Sequence, residues 1–247
     1  MVARQNSFLK KVSKYKILLL MLLPAALYTF VFSYLPMGGV VLAFKNYNYR
    51  DGIFGSPWNG FQNFRFFFSS GQAFRVTRNT IFYNALFLVV NTTLQVTLAI
   101  LISEMAGRKV KKTMQSFMFL PYFISWVVVS VIAYNFLSYD YGIINSFRSA
   151  LGMDKIDFYG TPKYWVAILT FFSAWKSVGY GTVMYLAAIM GIDTSLYESA
   201  EIDGANIFQR IFHITIPCLY PNLIILTLLA IGNIFRGDFQ MFYKLIG

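Results

Sequence analysis

Four of the ten carboxylates in this 247-residue sequence, Asp193, Glu198, Glu201 and Asp203, fall between positions 193 and 203. Carboxylates so close together invite a search for acid–base or metal chemistry. The supporting residues for either are missing. His213 is the only histidine and Cys218 the only cysteine, so a metal site has few donors and no intrachain disulfide can form. The long apolar runs carry no paired carboxylates, and no Ser/His/Asp constellation can be built within them. No G-x-x-x-x-G-K-[ST] phosphate loop occurs, which also excludes the chain as an ATPase.

The cluster belongs to the stretch SLYESAEIDGANIFQRIFHITIP, Ser195 to Pro217. Ser195 followed by Glu198 has the S-x-x-E form of a capping box and predicts a helix beginning at Leu196. Gly204 is a natural stop, because glycine tolerates a left-handed backbone. The helix between them would measure only ~12 Å, too short to span a bilayer. Ala205 and Asn206 open a second segment with Ile207, Ile211 and Ile214 on one face, and Gln209, Arg210 and His213 off it. Pro217 is expected to close it. Such a unit suits docking, with the Gly204 turn absorbing a change of direction. An ordinary solvated connection is the other reading.

The surrounding elements are apolar. The chain is 57% hydrophobic and 13% charged, against roughly 25% charged in soluble domains, and its mean hydropathy is +0.55. Ile17–Phe44, Asn79–Ser103, Thr113–Tyr139 and Ile214–Phe235 contain no charged residue, and Tyr164–Ile192 contains only Lys176. Each reaches the about 20 residues that a helix needs to cross the hydrocarbon core. The expectation is an all-α integral membrane protein with five visible spans. The first run outlasts a signal-peptide core and lacks a small-x-small cleavage site, so it reads as an uncleaved span.

The net charge of +11 is distributed as membrane flanks, which points to anionic lipid rather than nucleic acid. Arg4, Lys10, Lys11, Lys14 and Lys16 precede the first run, and Arg108, Lys109, Lys111 and Lys112 lie between the second and third. The positive-inside rule places both groups, and hence the N-terminus, in the cytoplasm. Alternation then puts the 193–217 loop there too. Outside, Phe61, Phe64 and Phe68 follow Trp58 at helical spacing, as an interfacial helix or a packed loop would. A second short helix is expected over Ile143–Leu151, ended by Gly152. In the run after Tyr164, Ser177 with Gly181 and Ala187 with Gly191 predict a close helix interface.

The Ser195–Pro217 stretch resembles the conserved cytoplasmic loop of ABC-importer permeases, written EAA, glycine, nine residues, I-x-L-P. Glu198, Ala200, Asp203, Gly204, Ala205, Ile214 and Pro217 match it, while Ser199 and Ile216 depart mildly. YLPMGGVVLAFKNYN, WNGFQNF and AWKSVGYGTVMYLAAIMG are similar to the carbohydrate-uptake branch of that family, the oligosaccharide and maltose-type permeases. The resemblance covers nearly the whole chain. It implies a type I importer fold forming one permease domain over 1–247, a sixth span not visible here, and a bacterial plasma-membrane location. It also implies a second permease subunit, two ATPase subunits and an extracellular solute-binding protein. ATP and Mg would sit on the ATPases, with no cofactor on this chain. Ser195, Leu196, Tyr197, Glu198, Ala200, Glu201, Asp203, Gly204, Ala205, Ile214 and Pro217 would form the ATPase-coupling site.

A sugar passage needs amides for hydroxyl groups and rings for sugar faces. Asn91, Gln95, Asn135, Trp175, Lys176, Tyr180 and Asn222 are the candidates, each also readable as an interhelical bond or interface anchor. Lys176 lies mid-run, where a charge must face protein or water, either beside the solute or in a structural pairing. The competing functions are a permease for another small solute and a non-transporting channel or scaffold.

Overall fold

The computed structural model describes residues 11–247, so Arg4 and Lys10 of the basic flank lie outside the described residues. Helix is the regular element among them, and extended pairing is confined to one antiparallel bridge between Lys45 and Trp58. Long apolar runs dictate this, since a helix satisfies its own backbone groups without water. The described residues form two compact units, divided between Arg75 and Val76.

In the first unit, α1 runs from Lys16 to Phe44 with none of its apolar window buried. It is an α-helix to Thr29, widens into a π turn over Phe30–Tyr34 and tightens to 3₁₀ over Leu35–Phe44. At its foot Phe44 stacks on Trp58, centroids 5.8 Å apart. Lys45 Nζ donates to the Ile53 and Phe54 carbonyls at 3.1 and 2.8 Å, fastening the short helix α2 (Gly52–Gly55). The expected aromatic helix is α3, Gln62–Ser69. Phe61 and Phe64 close on Phe44 at 5.5 and 5.4 Å, while Phe68 stays exposed.

Helix α4 (Gln72–Glu104) leads into the second unit. There follow α5 (Arg108–Phe123), α6 (Trp126–Leu137), α7 (Ile143–Ala150) and α8 (Lys163–Met190). Then come α9 (Thr194–Ile202), α10 (Ile207–Gly232) and α11 (Phe239–Leu245). The core lies at two levels along α4 and α8. Phe87, Val129, Ala133, Leu169 and Met241 join α4, α6, α8 and α11 at one level. Ala99, Ile102, Tyr185, Leu186 and Leu219 join α4, α8 and α10 at the other. α7 stops as expected, with Gly152 at φ +70°.

The expected five spans are not all recovered. Among the described residues three helices, α1, α4 and α10, are long and apolar enough to cross a membrane, and a fourth candidate is reached if the bent α5–α6 pair counts as one. The uncharged run 113–139 is broken between Phe123 and Trp126, where the axis turns by 96°. Ser125 starts the new helix by accepting the Val128 N–H at 3.4 Å. α8 has spanning length, yet Lys163, Lys176 and its small polar residues dilute its apolar character. Its close packing matches the expected pairs only in part, at Gly181 of the Ser177–Gly181 pair. Ala187 and Gly191 are exposed, whereas Gly179 abuts the Met118 backbone of α5 and Gly181 abuts Gln95 of α4.

Candidate functional site

The acidic stretch folds as a separately capped short helix. Asp193, not Ser195, is the N-cap of α9, and its Oδ1 accepts the Ser195 N–H at 3.0 Å. Asp and Ser cap equally well, so the S-x-x-E pattern misplaced the start by two residues. The Ser195 N–H holds the Asp193 carboxyl below its ordinary value. At the other end Gly204 takes φ +76°. Its N–H donates to the Glu201 carbonyl at 3.0 Å, and that of Ala205 to the Ala200 carbonyl at 2.8 Å. This pair is a Schellman ending, available cheaply only to glycine.

The next helix starts at once. Asn206 and Gln209 form a reciprocal capping box, with bonds of 2.7 and 3.0 Å. Contrary to expectation, Pro217 does not end this segment. A π turn over Ile211–Thr215 carries α10 through it to Gly232. A proline ring collides with the carbonyl four residues back, and one extra residue in the turn moves that carbonyl aside.

Two side-chain ties hold α9 to α10. Glu201 pairs with Arg210, and the Tyr197 and Thr215 hydroxyls meet at 2.9 Å, with Thr215 fully buried. Ile211 and Ile214 face inward, half-buried, while Ile207 is exposed. Leu196, Glu198, Glu201 and Asp203 face outward with Ile202 and Phe208. Ile202 is 87% exposed. Tyr197, Ala200 and Ala205 are half-buried beneath this surface, and Ser195 and Pro217 are exposed at its margins.

Three of the seven polar-passage candidates converge. Asn91, Gln95 and Tyr180 line an open cleft of about 620 Å³ between α4, α8 and α10. Asn91 Nδ2 donates to Ser173 Oγ at 3.3 Å, and its buried Oδ1 has no partner. Asn84, Asn233 and Arg236 also line it, with Thr92 and Ser177; Asn84 lies within α4, and Asn233 and Arg236 follow the end of α10, where periodicity gave no signal. Amides and a ring on one wall can bond hydroxyls and cover an apolar face. The other four candidates lie elsewhere. Asn135 returns its amide to the Val131 carbonyl at 3.0 Å, and Asn222 is exposed away from the cleft. Trp175 meets Phe172 edge-on at 6.4 Å. Lys176 reaches the α5–α6 break, donating to the Tyr122 carbonyl at 2.9 Å and to that of Ile124.

Residues 95–239, which include most of the cleft and all of α9, match the family of binding-protein-dependent transport system inner membrane components. The chain belongs to this family. It is 35% identical over 237 residues to Protein LplB of Bacillus subtilis, covering 96% of this chain and 74% of that protein. It is 33% identical over 243 residues to the polygalacturonan/rhamnogalacturonan transport system permease protein YteP of the same organism, covering 98% and 76%. Among solved structures it resembles a bacterial ABC transporter involved in the import of the acidic polysaccharide alginate. The TM-score is 0.85 at 34% identity, covering 98% of this chain and 81% of that one.

Membership makes the chain a multi-pass inner-membrane permease component, as the Glu198–Pro217 resemblance implied. Within that setting, Ile202, Phe208, Arg210 and Thr215 are residues of the α9 region that the motif does not name. Asn206-x-x-Gln209 was a readable helix start. The Tyr197–Thr215 contact was not, because it spans 18 residues and two turns.

Proposed function

We propose that this chain is the permease subunit of an ATP-driven oligosaccharide importer, with α9 docking on an ATPase subunit and the amide-lined cleft passing the sugar. The observation that carries the docking role is the form of α9: a short helix capped at both ends, with exposed Leu196, Ile202 and Phe208 among carboxylates. Exposed apolar side chains ringed by charge favour a protein partner over water. On this reading α9 and the N-terminus are cytoplasmic, and a second permease subunit and an extracellular binding protein complete the assembly. Two ATPases hold ATP and Mg, and their closure favours one state of the bundle by binding it more tightly. Arg108 and Lys112 line a second cleft, near Tyr197, and meet anionic headgroups.

The charged residue on the sugar cleft is Arg236. Together with relatives named for polygalacturonan and alginate, it favours acidic oligosaccharides, whose carboxylates an arginine pairs bidentately.

The test is co-expression with a partner permease and ATPases, measuring ATPase co-purification and uptake of uronate and neutral oligosaccharides. Gly204→Pro cannot adopt φ +76° and Glu198→Lys reverses the surface charge, so both should lose the ATPase or uncouple uptake. Failure of folded wild type to retain any ATPase would refute the docking role. Equal uptake of neutral sugars would refute the acidic preference.

A further inference from the structure

We propose that the break between α5 and α6 is a built cation site, made of three backbone carbonyls and an indole face and occupied by the Lys176 ammonium. Lys176 is then a positioning residue for transport and not a ligand of the solute. The role in transport rests on the permease reading above; the cation site does not.

The break creates the need. In a continuous helix the Tyr122 and Ile124 carbonyls would accept the N–H groups of Trp126 and Val128. The 96° turn removes the first of these partners, and the Val128 N–H goes instead to Ser125 Oγ. Orphan carbonyls away from water are costly, and they sit at the negative end of the α5 dipole. Lys176 lies near the midpoint of the 28-residue α8, and its ammonium carries three donors. Nζ lies 2.9 Å from the Tyr122 oxygen, 3.5 Å from that of Pro121, and in contact with that of Ile124. The Trp126 ring covers the remaining side at 5.4 Å, the arrangement of a cation–π pair.

The indole is itself fixed. Trp126 Nε1 donates to Asp238 Oδ2 at 3.0 Å, while Asp238 Oδ1 accepts the Met241 N–H at 3.0 Å to start α11. One ammonium therefore ties α8, the α5–α6 corner and α11 together. It does not line the sugar cleft, but its neighbourhood does. Tyr180, one turn further along α8, stacks on Tyr122 with centroids 4.9 Å apart, and Lys176 holds the Tyr122 carbonyl. Moving the corner would move a ring that backs the cleft wall.

The experiment removes the ammonium and returns it as a free ligand. In the purified complex, Lys176→Ala should melt several degrees below wild type and lose about tenfold in maximal uptake, the factor of one lost charged contact. The half-saturating sugar concentration should not change. n-Propylammonium, which replaces the deleted atoms from Cγ to Nζ, should restore both melting and rate. Tetramethylammonium, a cation without donors, should restore neither, and Lys176→Met should respond to neither. Unchanged melting in Lys176→Ala would overturn the cation site. A raised half-saturation with normal melting would make Lys176 a solute ligand and overturn the positioning role. Should Lys176→Ala not assemble, Trp126→Leu removes the indole face and leaves the carbonyls in place; wild-type melting there would equally overturn the proposal. Absence of uptake by wild type would count against the permease reading alone, since the melting comparison does not depend on it.

Discussion

A Cβ at Gly179 would lie 1.8 Å from the Met118 carbonyl oxygen and 2.4 Å from its carbon, whereas one at Gly181 would meet the Gln95 amide, 2.1 Å from Cδ. Backbone cannot yield at such distances without separating α5 from α8; a glutamine side chain can swing away. Overpacking typically costs about 1–3 kcal/mol. Gly179→Ala should reach or exceed the top of that range and lower the melting temperature of the solubilised protein. Gly181→Ala should fold and melt close to wild type but push Gln95 within the cleft, reducing sugar uptake. Equal melting losses in the two variants would refute this distinction. The sequence marked Gly181 through its spacing from Ser177, but Gly179 lies outside any four-residue pattern. Asn145 was equally illegible. It is fully buried and exchanges bonds of 2.8 Å with both backbone groups of Ile156, an irregular segment that periodicity does not address.

Prolines reshape the long helices in a regular way. Both π turns, Phe30–Tyr34 and Ile211–Thr215, end two residues before a proline, Pro36 and Pro217. The sequence gives those prolines but not the outcome, since a proline can end a helix or be bypassed by one inserted residue. Hydropathy likewise marked 113–139 as one apolar run and missed its break, because the group that stabilises the break is Lys176, on another helix. At α9 the stop at Gly204 was legible and the start was not, with Asp193 and Ser195 both good caps. Asp193 makes a testable pH statement. Its carboxyl is held below the ordinary 3.8 by the Ser195 N–H. A depressed carboxyl adds stability that is complete above its unfolded value and lost as pH falls through the folded one. Protection of the Ser195 amide from hydrogen exchange, corrected for intrinsic rates, should therefore hold at neutral pH and fall only below about pH 4. Asp193→Asn keeps a cap without a charge, so its protection should show no such acid loss. An acid loss retained in that variant would assign the effect elsewhere.

At the scale of the second unit, α9 and the cleft are connected through one rod. α10 is continuous for 26 residues, about 39 Å at the usual rise. α9 is joined to its base by the Gly204 turn, the Glu201–Arg210 pair and the Tyr197–Thr215 hydroxyls. Leu226, Ala230 and Asn233, towards its far end, line the cleft, and Asn84 of α4 holds the Ile234 carbonyl at 2.7 Å. A force on α9 thus reaches the cleft if the ties at the base are stiff. They are unequal. Glu201 is 63% exposed and Arg210 20%; the pair is open to solvent at its carboxylate, and exposed pairs are worth only about 0.2–1 kcal/mol. Thr215 is fully buried, so its hydroxyl must stay paired or carry a desolvation cost of about 1–3 kcal/mol. Tyr197→Phe should therefore leave ATPase recruitment intact, because the outward surface of α9 is untouched, while lowering sugar imported per ATP hydrolysed by up to about tenfold. Glu201→Gln should do much less. Each single change at the hydroxyl pair strands one partner, whereas Tyr197→Phe with Thr215→Val strands none. The double variant should thus be as stable as, or more stable than, the worse single one, with coupling no better than in Tyr197→Phe. If Tyr197→Phe left the uptake ratio at the wild-type value, α10 would not be the path along which α9 acts on the cleft.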